Sequence, residues 1–208
     1  MRLALDVDCN GTDDAIAAHL SDYPEPPRNE PLDVFIEQLD CALRSGVRLV
    51  QLRAKTVTPE QYAWLAEKSV ACCRRYDARL VLNASLGEAE TLRADGVHLT
   101  STRLMTCRRR PLPHGQLVSA ACHDERQVKH ATEMGADLLT ISPVLPTATH
   151  TSAVPLGWSR FRELAALTSV PVYALGGMSL GTVAEAREAG AHGIAAIRAF
   201  WGAAVERS

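Results

Sequence analysis

Four stretches of the chain follow one rule, in which a helical run ends at a small residue plus glycine and an apolar strand begins at once. They are Ser45-Gly46-Val47-Arg48-Leu49-Val50, Asp95-Gly96-Val97-His98-Leu99, Met134-Gly135-Ala136-Asp137-Leu138-Leu139 and Ala189-Gly190-Ala191-His192-Gly193-Ile194. Glycine suits the left-handed position that closes a helix, after which the chain re-enters the core as a strand. Extending the pattern predicts strands near 3–7, 48–53, 79–83, 96–99, 117–121, 137–142, 171–175 and 193–197. Helices are predicted near 32–45, 59–76, 86–93, 124–134, 158–167, 180–189 and 198–206. Thr58-Pro59-Glu60 opens the second helix with an N-cap and a first-turn proline. Eight strands alternating with helices fit a closed parallel (β/α)8 TIM barrel, whose lower size limit is about 200 residues. A doubly wound open sheet is the structural alternative.

Residues 9–31 break the repeat, with a short helical pattern from Asp13 to Leu20 and a proline-rich stretch, Tyr23-Pro24-Glu25-Pro26-Pro27. They form either a long first loop or an N-terminal extension whose strand replaces the usual first one. The chain has 208 residues, 47% hydrophobic and 22% charged, which suffices for one buried core and is short for two. A single domain over 1–208 is expected. The formal charge of -2 and the absence of a basic run longer than Arg108-Arg109-Arg110 argue against a nucleic-acid footprint and for a small partner. No apolar stretch reaches the length of a membrane span, and the segment Met1 to Asp8 is too short and acidic for a signal peptide, so a cytoplasmic protein is expected. The six cysteines show no CxxC spacing and read as buried free thiols. Oligomeric state is not readable from the chain, and a homo-oligomer is compatible with it.

In a parallel barrel the chemistry sits at the C-terminal tips of the strands, so the polar tips are the candidates. Gln51, Arg53 and Lys55 alternate onto one face where the second strand ends, placing an amide and two cations together as an anion site. His123 stands at the fifth tip, before Asp124 and Glu125. It either moves a proton near neutral pH or caps the following helix. After the sixth strand, Ser142 to Ser152 is a hydroxyl-rich loop closed by prolines, a phosphate cradle or a plain linker. The seventh strand ends in Gly176-Gly177 and the eighth in Ile197-Arg198, and these two positions of a parallel barrel frequently hold a phosphate. His98 and His192 read as strand starts, towards the non-catalytic end, and are expected to be structural. Asp6-Val7-Asp8-Cys9-Asn10-Gly11 matches the start of a calcium-binding loop, and the Asp-rich run Asp6 to Asp14 resembles the N-terminal metal motif of nucleoside hydrolases with a one-residue insertion. The calcium loop needs a glutamate at its twelfth position, where this chain has Ala17, so a solvated acidic turn is expected.

Taken together, these tips resemble the thiamine phosphate synthase family, which includes the related thiazole tautomerases of the TenI type. The resembling segments run from about Leu32 to Trp201 and include Gln51-Leu52-Arg53-Ala54-Lys55, Ala94 to Leu99, Pro146-Thr147-Ala148-Thr149 and Val172 to Met178. Ser142 to His150 and Gly193 to Trp201 resemble in particular the barrel domain fused behind a Nudix hydrolase in some bacterial proteins; this chain has no Nudix box. The resemblance implies a barrel that binds a phosphorylated thiazole. Gly176, Gly177, Ile197 and Arg198 would hold the phosphate, and Gln51, Arg53, Lys55, Asn83, Arg103, Thr147, Thr149 and His150 the rest of the substrate.

The departures from the family pattern bear on which reaction is run. In the synthases an asparagine-aspartate pair after the third strand and an aspartate after the fourth hold the Mg2+ that carries the pyrimidine pyrophosphate. This chain has Asn83-Ala84 and Thr100-Ser101-Thr102-Arg103 there, and His150 replaces the lysine that ends the Pro-Thr-x-Thr-Lys loop. Asn83 alone is a poor Mg2+ site, and Arg103 and Arg198 offset charge without restoring the metal's geometry. The expected activity is therefore a metal-independent, TenI-like tautomerisation with His123 as general acid/base and no cofactor. The alternatives are a divergent Mg2+-dependent synthase, joining hydroxymethylpyrimidine pyrophosphate to thiazole phosphate, and a non-catalytic module that binds the phosphorylated ligand.

Overall fold

The chain alternates strand and helix in the order β1 (Leu5–Asp8), α1 (Glu30–Arg44), β2 (Leu49–Arg53), α2 (Pro59–Arg75), β3 (Arg79–Leu82), α3 (Leu86–Thr91), β4 (Gly96–Leu99) and α4 (Ser101–Thr106). It continues with β5 (Leu117–Cys122), α5 (Glu125–Met134), β6 (Leu138–Ile141), α6 (Gly157–Ala165), β7 (Val172–Leu175), a 3-10 turn (Leu180–Thr182), α7 (Val183–Glu188) and β8 (Gly193–Ala195). This computed structural model describes residues 5–8, 30–54, 57–147, 153–197 and 199–200. All eight strands lie in one sheet in the order β1 to β8, each parallel to its neighbour. Strict chain order is the (β/α)8 barrel; a doubly wound sheet reverses its order partway, so that alternative is excluded.

Two sets of side chains follow from strand alternation. Val50, Leu52, Leu80, Leu82, Val97, Leu99, Val118, Ala120, Leu139 and Ile141 join the core shared with the helices. The intervening positions face the barrel interior, where Leu49, Val81, Leu138, Tyr173 and Ala195 form a separate apolar layer at one end. At another level the interior is polar, with Gln51 of β2, His98 of β4, Ser119 of β5 and Thr140 of β6 all buried. An apolar plug below and a polar level above is what orients the barrel towards one functional mouth.

The opposite end is sealed by carboxylates. Asp95 Oδ2 accepts the backbone N–H of Leu80 at 2.7 Å and Asp137 Oδ2 that of Val118 at 2.7 Å, so each aspartate satisfies the entry of the preceding strand. Asp137 also pairs with Arg110, whose side chain is 13% exposed.

Three of the four recurring glycines, Gly46, Gly135 and Gly190, have positive φ after a helix, as the pattern predicts. Gly96 serves a different purpose. It lies inside β4, and a Cβ there would stand 1.9 Å from the carbonyl oxygen of Leu117, so glycine permits the close β4–β5 approach. The positive φ before β4 is carried by Arg93 instead.

Helix α4 is not anticipated by the sequence pattern. It has six residues and buries only Leu104, too little to give a periodic signal, and is started by Thr100, whose Oγ1 accepts from Arg103 N–H at 3.3 Å. The helix expected over 180–189 begins as the 3-10 turn. Thr58 caps α2, as expected, and the cap is reciprocal, with Gln61 as its partner. β1 pairs with β2 and so occupies the first-strand position, while 9–29, residues 198 and 201–206 of the expected last helix and the side chains of the Asp-rich run lie outside the described residues. The described cysteines are free thiols, with Cys72, Cys73 and Cys122 buried. No helix among the described residues is long and apolar enough to cross a membrane.

Candidate active site

The strand tips converge on a cavity of about 570 Å³, within the range of small-molecule sites. Gln51 and Arg53 from β2, Asn83 after β3, His98 and Thr100 from β4, His123 after β5, Thr140 and Ser142 from β6, Thr147 in the following loop, Gly176 after β7 and Ile197 after β8 all line it. Seven of the predicted residues, Gln51, Arg53, Asn83, His123, Thr147, Gly176 and Ile197, are thus brought together. Lys55, Thr149, His150 and Arg198 lie outside the described residues.

His123 is held from two directions. Its backbone N–H donates to Gln127 Oε1 at 2.7 Å, and its ring Nδ1 lies 2.7 Å from the carbonyl oxygen of Ser142. A carbonyl oxygen only accepts, so Nδ1 carries a proton, and in the neutral ring Nε2 is the nitrogen that keeps the lone pair. The N-cap of α5 is Asp124, whose Oδ1 accepts from Gln127 N–H at 2.8 Å, which excludes the reading of His123 as the helix cap. Its ring is left as a cavity-lining base.

His98 corrects the expectation of a structural histidine at the non-catalytic end. It is the third residue of β4, 4% exposed, lines the cavity, and its Nδ1 lies 2.7 Å from Ser119 Oγ. Burial, reinforced by the charges of Arg53 and Arg103, lowers its pKa to about 3, so the ring is neutral at physiological pH. The signal was present in the sequence, since Thr100 stands two residues on and shares its face. His192 does lie away from the cavity, exposed and edge-on to Tyr173.

Gln51 Oε1 and Thr140 Oγ1 are buried in the cavity floor and have no hydrogen-bond partner among the described residues. Buried polar atoms are almost always paired, so this amide oxygen, an acceptor, and this hydroxyl, a donor or acceptor, are open to polar atoms entering the cavity.

The glycines after β7 have a packing role that their place in the sequence does not reveal. At Gly176, with φ of +93°, a Cβ would stand 2.8 Å from Pro143 Cα, and at Gly177 it would stand 2.7 Å from Pro146 O. The β6–α6 loop lies directly against them, with Val144 N–H donating to Leu175 O at 2.9 Å and Leu145 N–H to Gly176 O at 3.1 Å. Gly176 borders the cavity, whereas Gly177 is not among its lining residues.

Arg103 is likewise outside the lining. Its Nη1 donates to the carbonyl oxygen of Ala84 at 2.7 Å, so the guanidinium links the segments after β3 and β4, whose residues Asn83, Thr100 and Ser101 do line the cavity.

Fold and site together define a (β/α)8 barrel with a polar, cation-bearing cavity at the C-terminal ends of its strands. Residues 26–200 match the family model described as thiamine monophosphate synthase, and the chain belongs to that family. A thiamine-phosphate synthase of Thermus thermophilus is 35% identical over 170 residues, covering 81% of this chain and 82% of its own length. One from Synechococcus is 31% identical over 184 residues, covering 88% of this chain, which spans about half (52%) of that relative. Among solved structures, a thiamine phosphate pyrophosphorylase from Pyrococcus furiosus superposes with a TM-score of 0.68 at 24% identity over 82% of this chain and 83% of its own, in agreement with the fold.

The synthase pattern implies Mg2+, and the described residues do not fit it. The oxygen donors at the cavity are amides and hydroxyls, from Gln51, Asn83, Thr100, Ser101, Thr140, Ser142 and Thr147, without a described carboxylate among the lining residues. Mg2+ is ordinarily held by one or two carboxylates beside the phosphates.

Proposed function

We propose that this barrel takes a phosphorylated thiazole as its small-molecule substrate and performs the synthase reaction, joining it to a pyrimidine-methyl diphosphate. The observation that carries this reading is the identity of 31–35% with proteins named thiamine-phosphate synthase across the segments that build the cavity. That similarity shifts the weight from the tautomerase to the synthase. In this reaction the C–O bond to the diphosphate breaks, with the electron pair leaving on pyrophosphate. The thiazole nitrogen donates its lone pair to the freed methylene carbon, forming the C–N bond. No proton has to move. The protein's share is to hold both rings in line and to meet the charge on the leaving group. Gln51 and Thr140 offer hydrogen-bonding atoms to a heterocycle at the floor, and Arg53 supplies positive charge at the mouth. Gly176 and Ile197, with Arg198, are assigned to the thiazole phosphate, and Thr147, Thr149, His150 and Lys55 to the remaining anionic groups.

The second reading, a TenI-like tautomerase, is favoured by one specific feature, the anchored His123 with a proton-accepting Nε2. There the imidazole takes a proton from the exocyclic tautomer of a thiazole carboxylate phosphate and a proton returns elsewhere on the ring system, leaving the aromatic thiazole and no net change in the enzyme. Product analysis separates the two. Formation of thiamine phosphate and pyrophosphate from thiazole phosphate plus pyrimidine diphosphate supports the synthase. Aromatisation of the carboxylate substrate without coupling supports the tautomerase, and ligand binding with neither product leaves only the binding module.

A further inference from the structure

Where the family pattern calls for acidic residues after the third and fourth strands, this chain places Ala84 and Arg103, and the structure joins them directly. Arg103 Nη1 donates to Ala84 O at 2.7 Å. Among the described residues this is the only hydrogen bond of that side chain, so the other guanidinium N–H groups retain their capacity. Asn83, next to Ala84, and Thr100 and Ser101, just before Arg103 in the chain, line the cavity, the charges of Arg103 and Arg53 both act on the buried His98, and Arg53 stands at the adjoining β2 tip. The two cations flank the β3 tip.

We propose that Arg103, anchored on the Ala84 carbonyl, takes the place of the divalent cation, and that with Arg53 it receives a diphosphate group without a metal. This rests on the proposed reading for the identity of the substrate but makes its own claim about how the anion is held. A guanidinium presents a planar fork of donors that matches phosphate oxygens and never loses its charge, which is why it can replace a cation as an anchor. It also explains the paired change. An aspartate at position 84 or 103 would repel the diphosphate unless a metal neutralised it, whereas alanine and arginine make the metal unnecessary. Two guanidiniums, one on each side of Asn83, suit two linked phosphoryl groups better than one.

The test is calorimetric titration of the protein with inorganic pyrophosphate, and with inorganic phosphate in a second arm, in EDTA and in excess Mg2+. Expected are binding of pyrophosphate in EDTA, weaker binding of phosphate, and a change of less than about threefold on adding Mg2+. Arg103→Ala should weaken pyrophosphate binding by roughly 10- to 100-fold, Arg103→Lys should recover part of it, and Arg108→Ala should leave it unchanged. The double variant Ala84→Asp/Arg103→Asp should bind pyrophosphate only with Mg2+, with thermal unfolding confirming that each variant is folded. No binding to the wild type, binding that requires Mg2+, or an affinity indifferent to Arg103→Ala would each overturn the inference. Metal-free, Arg103-dependent binding without thiamine phosphate formation would instead sink the synthase reading and leave the inference standing.

Discussion

The ring Nδ1 of His123 donates to the carbonyl oxygen of Ser142 across 2.7 Å, tying the tip of β5 to that of β6 and fixing which nitrogen can accept a proton. His123→Ala therefore distinguishes the two candidate reactions. Aromatisation of a thiazole carboxylate phosphate should fall by roughly 10²- to 10⁴-fold, the usual worth of a positioned acid/base. Coupling of thiazole phosphate to the pyrimidine diphosphate, in which no proton moves, should stay within about tenfold. Steady-state rates on both substrate sets, with the ligand Kd measured alongside, check this.

Thr140 is 3% exposed and its Oγ1 has no partner among the described residues. Thr140→Val removes an unpaired buried hydroxyl and keeps the shape of the side chain. Unfolding in urea should show an unchanged or higher midpoint, by up to about 1 kcal/mol at constant m. Affinity for the heterocyclic ligand should fall by roughly five- to tenfold. A variant that loses stability instead would show that the hydroxyl has a protein partner and does not await a ligand.

The buried imidazole of His98 makes stability depend on acid. Its folded pKa of about 3 lies below the ordinary 6.5, so its contribution is complete above about pH 6.5. As pH falls the unfolded chain takes up a proton that the folded chain refuses, at about 1.4 kcal/mol per pH unit. Between pH 7.5 and pH 5 the wild type should lose about 2 kcal/mol more than His98→Gln does. Paired urea titrations at the two pH values isolate this group from the other titrating side chains.

Gly96 and Gly87 should respond oppositely to alanine. At Gly96 the new Cβ would meet the Leu117 carbonyl at 1.9 Å and force β4 from β5, while at Gly87, inside α3, nothing lies within 4 Å. Gly96→Ala is expected to cost more than about 2 kcal/mol, and Gly87→Ala to be neutral or stabilising by up to about 1 kcal/mol. Thermal unfolding of the pair measures both.

Much of the fold and of the site is legible in the sequence. The apolar alternation of Leu49 to Arg53 and the helix-ending glycines at 46, 135 and 190 reflect interactions within a few residues, and they located the strands and most helices. The tips named from the sequence, Gln51, Arg53, Asn83, His123, Thr147, Gly176 and Ile197, do converge on one cavity. Less legible were features whose cause lies in another strand. Gly96 looked like a helix terminator because only the position of Leu117, far along the chain, reveals the clash it avoids. Helix α4 escaped because it buries a single residue, Leu104. The Gly176-Gly177 pair read as a phosphate cradle, yet its first demand is room for the loop from Pro143 to Pro146.

By itself the sequence determined the β/α alternation, the membership of strand tips and the replacement of two family carboxylates by Ala84 and Arg103, all of which are local or compositional facts. Only the tertiary structure decided that the strands pair in chain order, that His98 is a neutral cavity residue, that His123 presents Nε2, and that Arg103 closes onto Ala84. The reason is physical. Alternation and capping are set by neighbours three or four positions away, whereas burial, tautomer and ion placement depend on which distant backbone carbonyls and hydroxyls arrive within hydrogen-bonding reach.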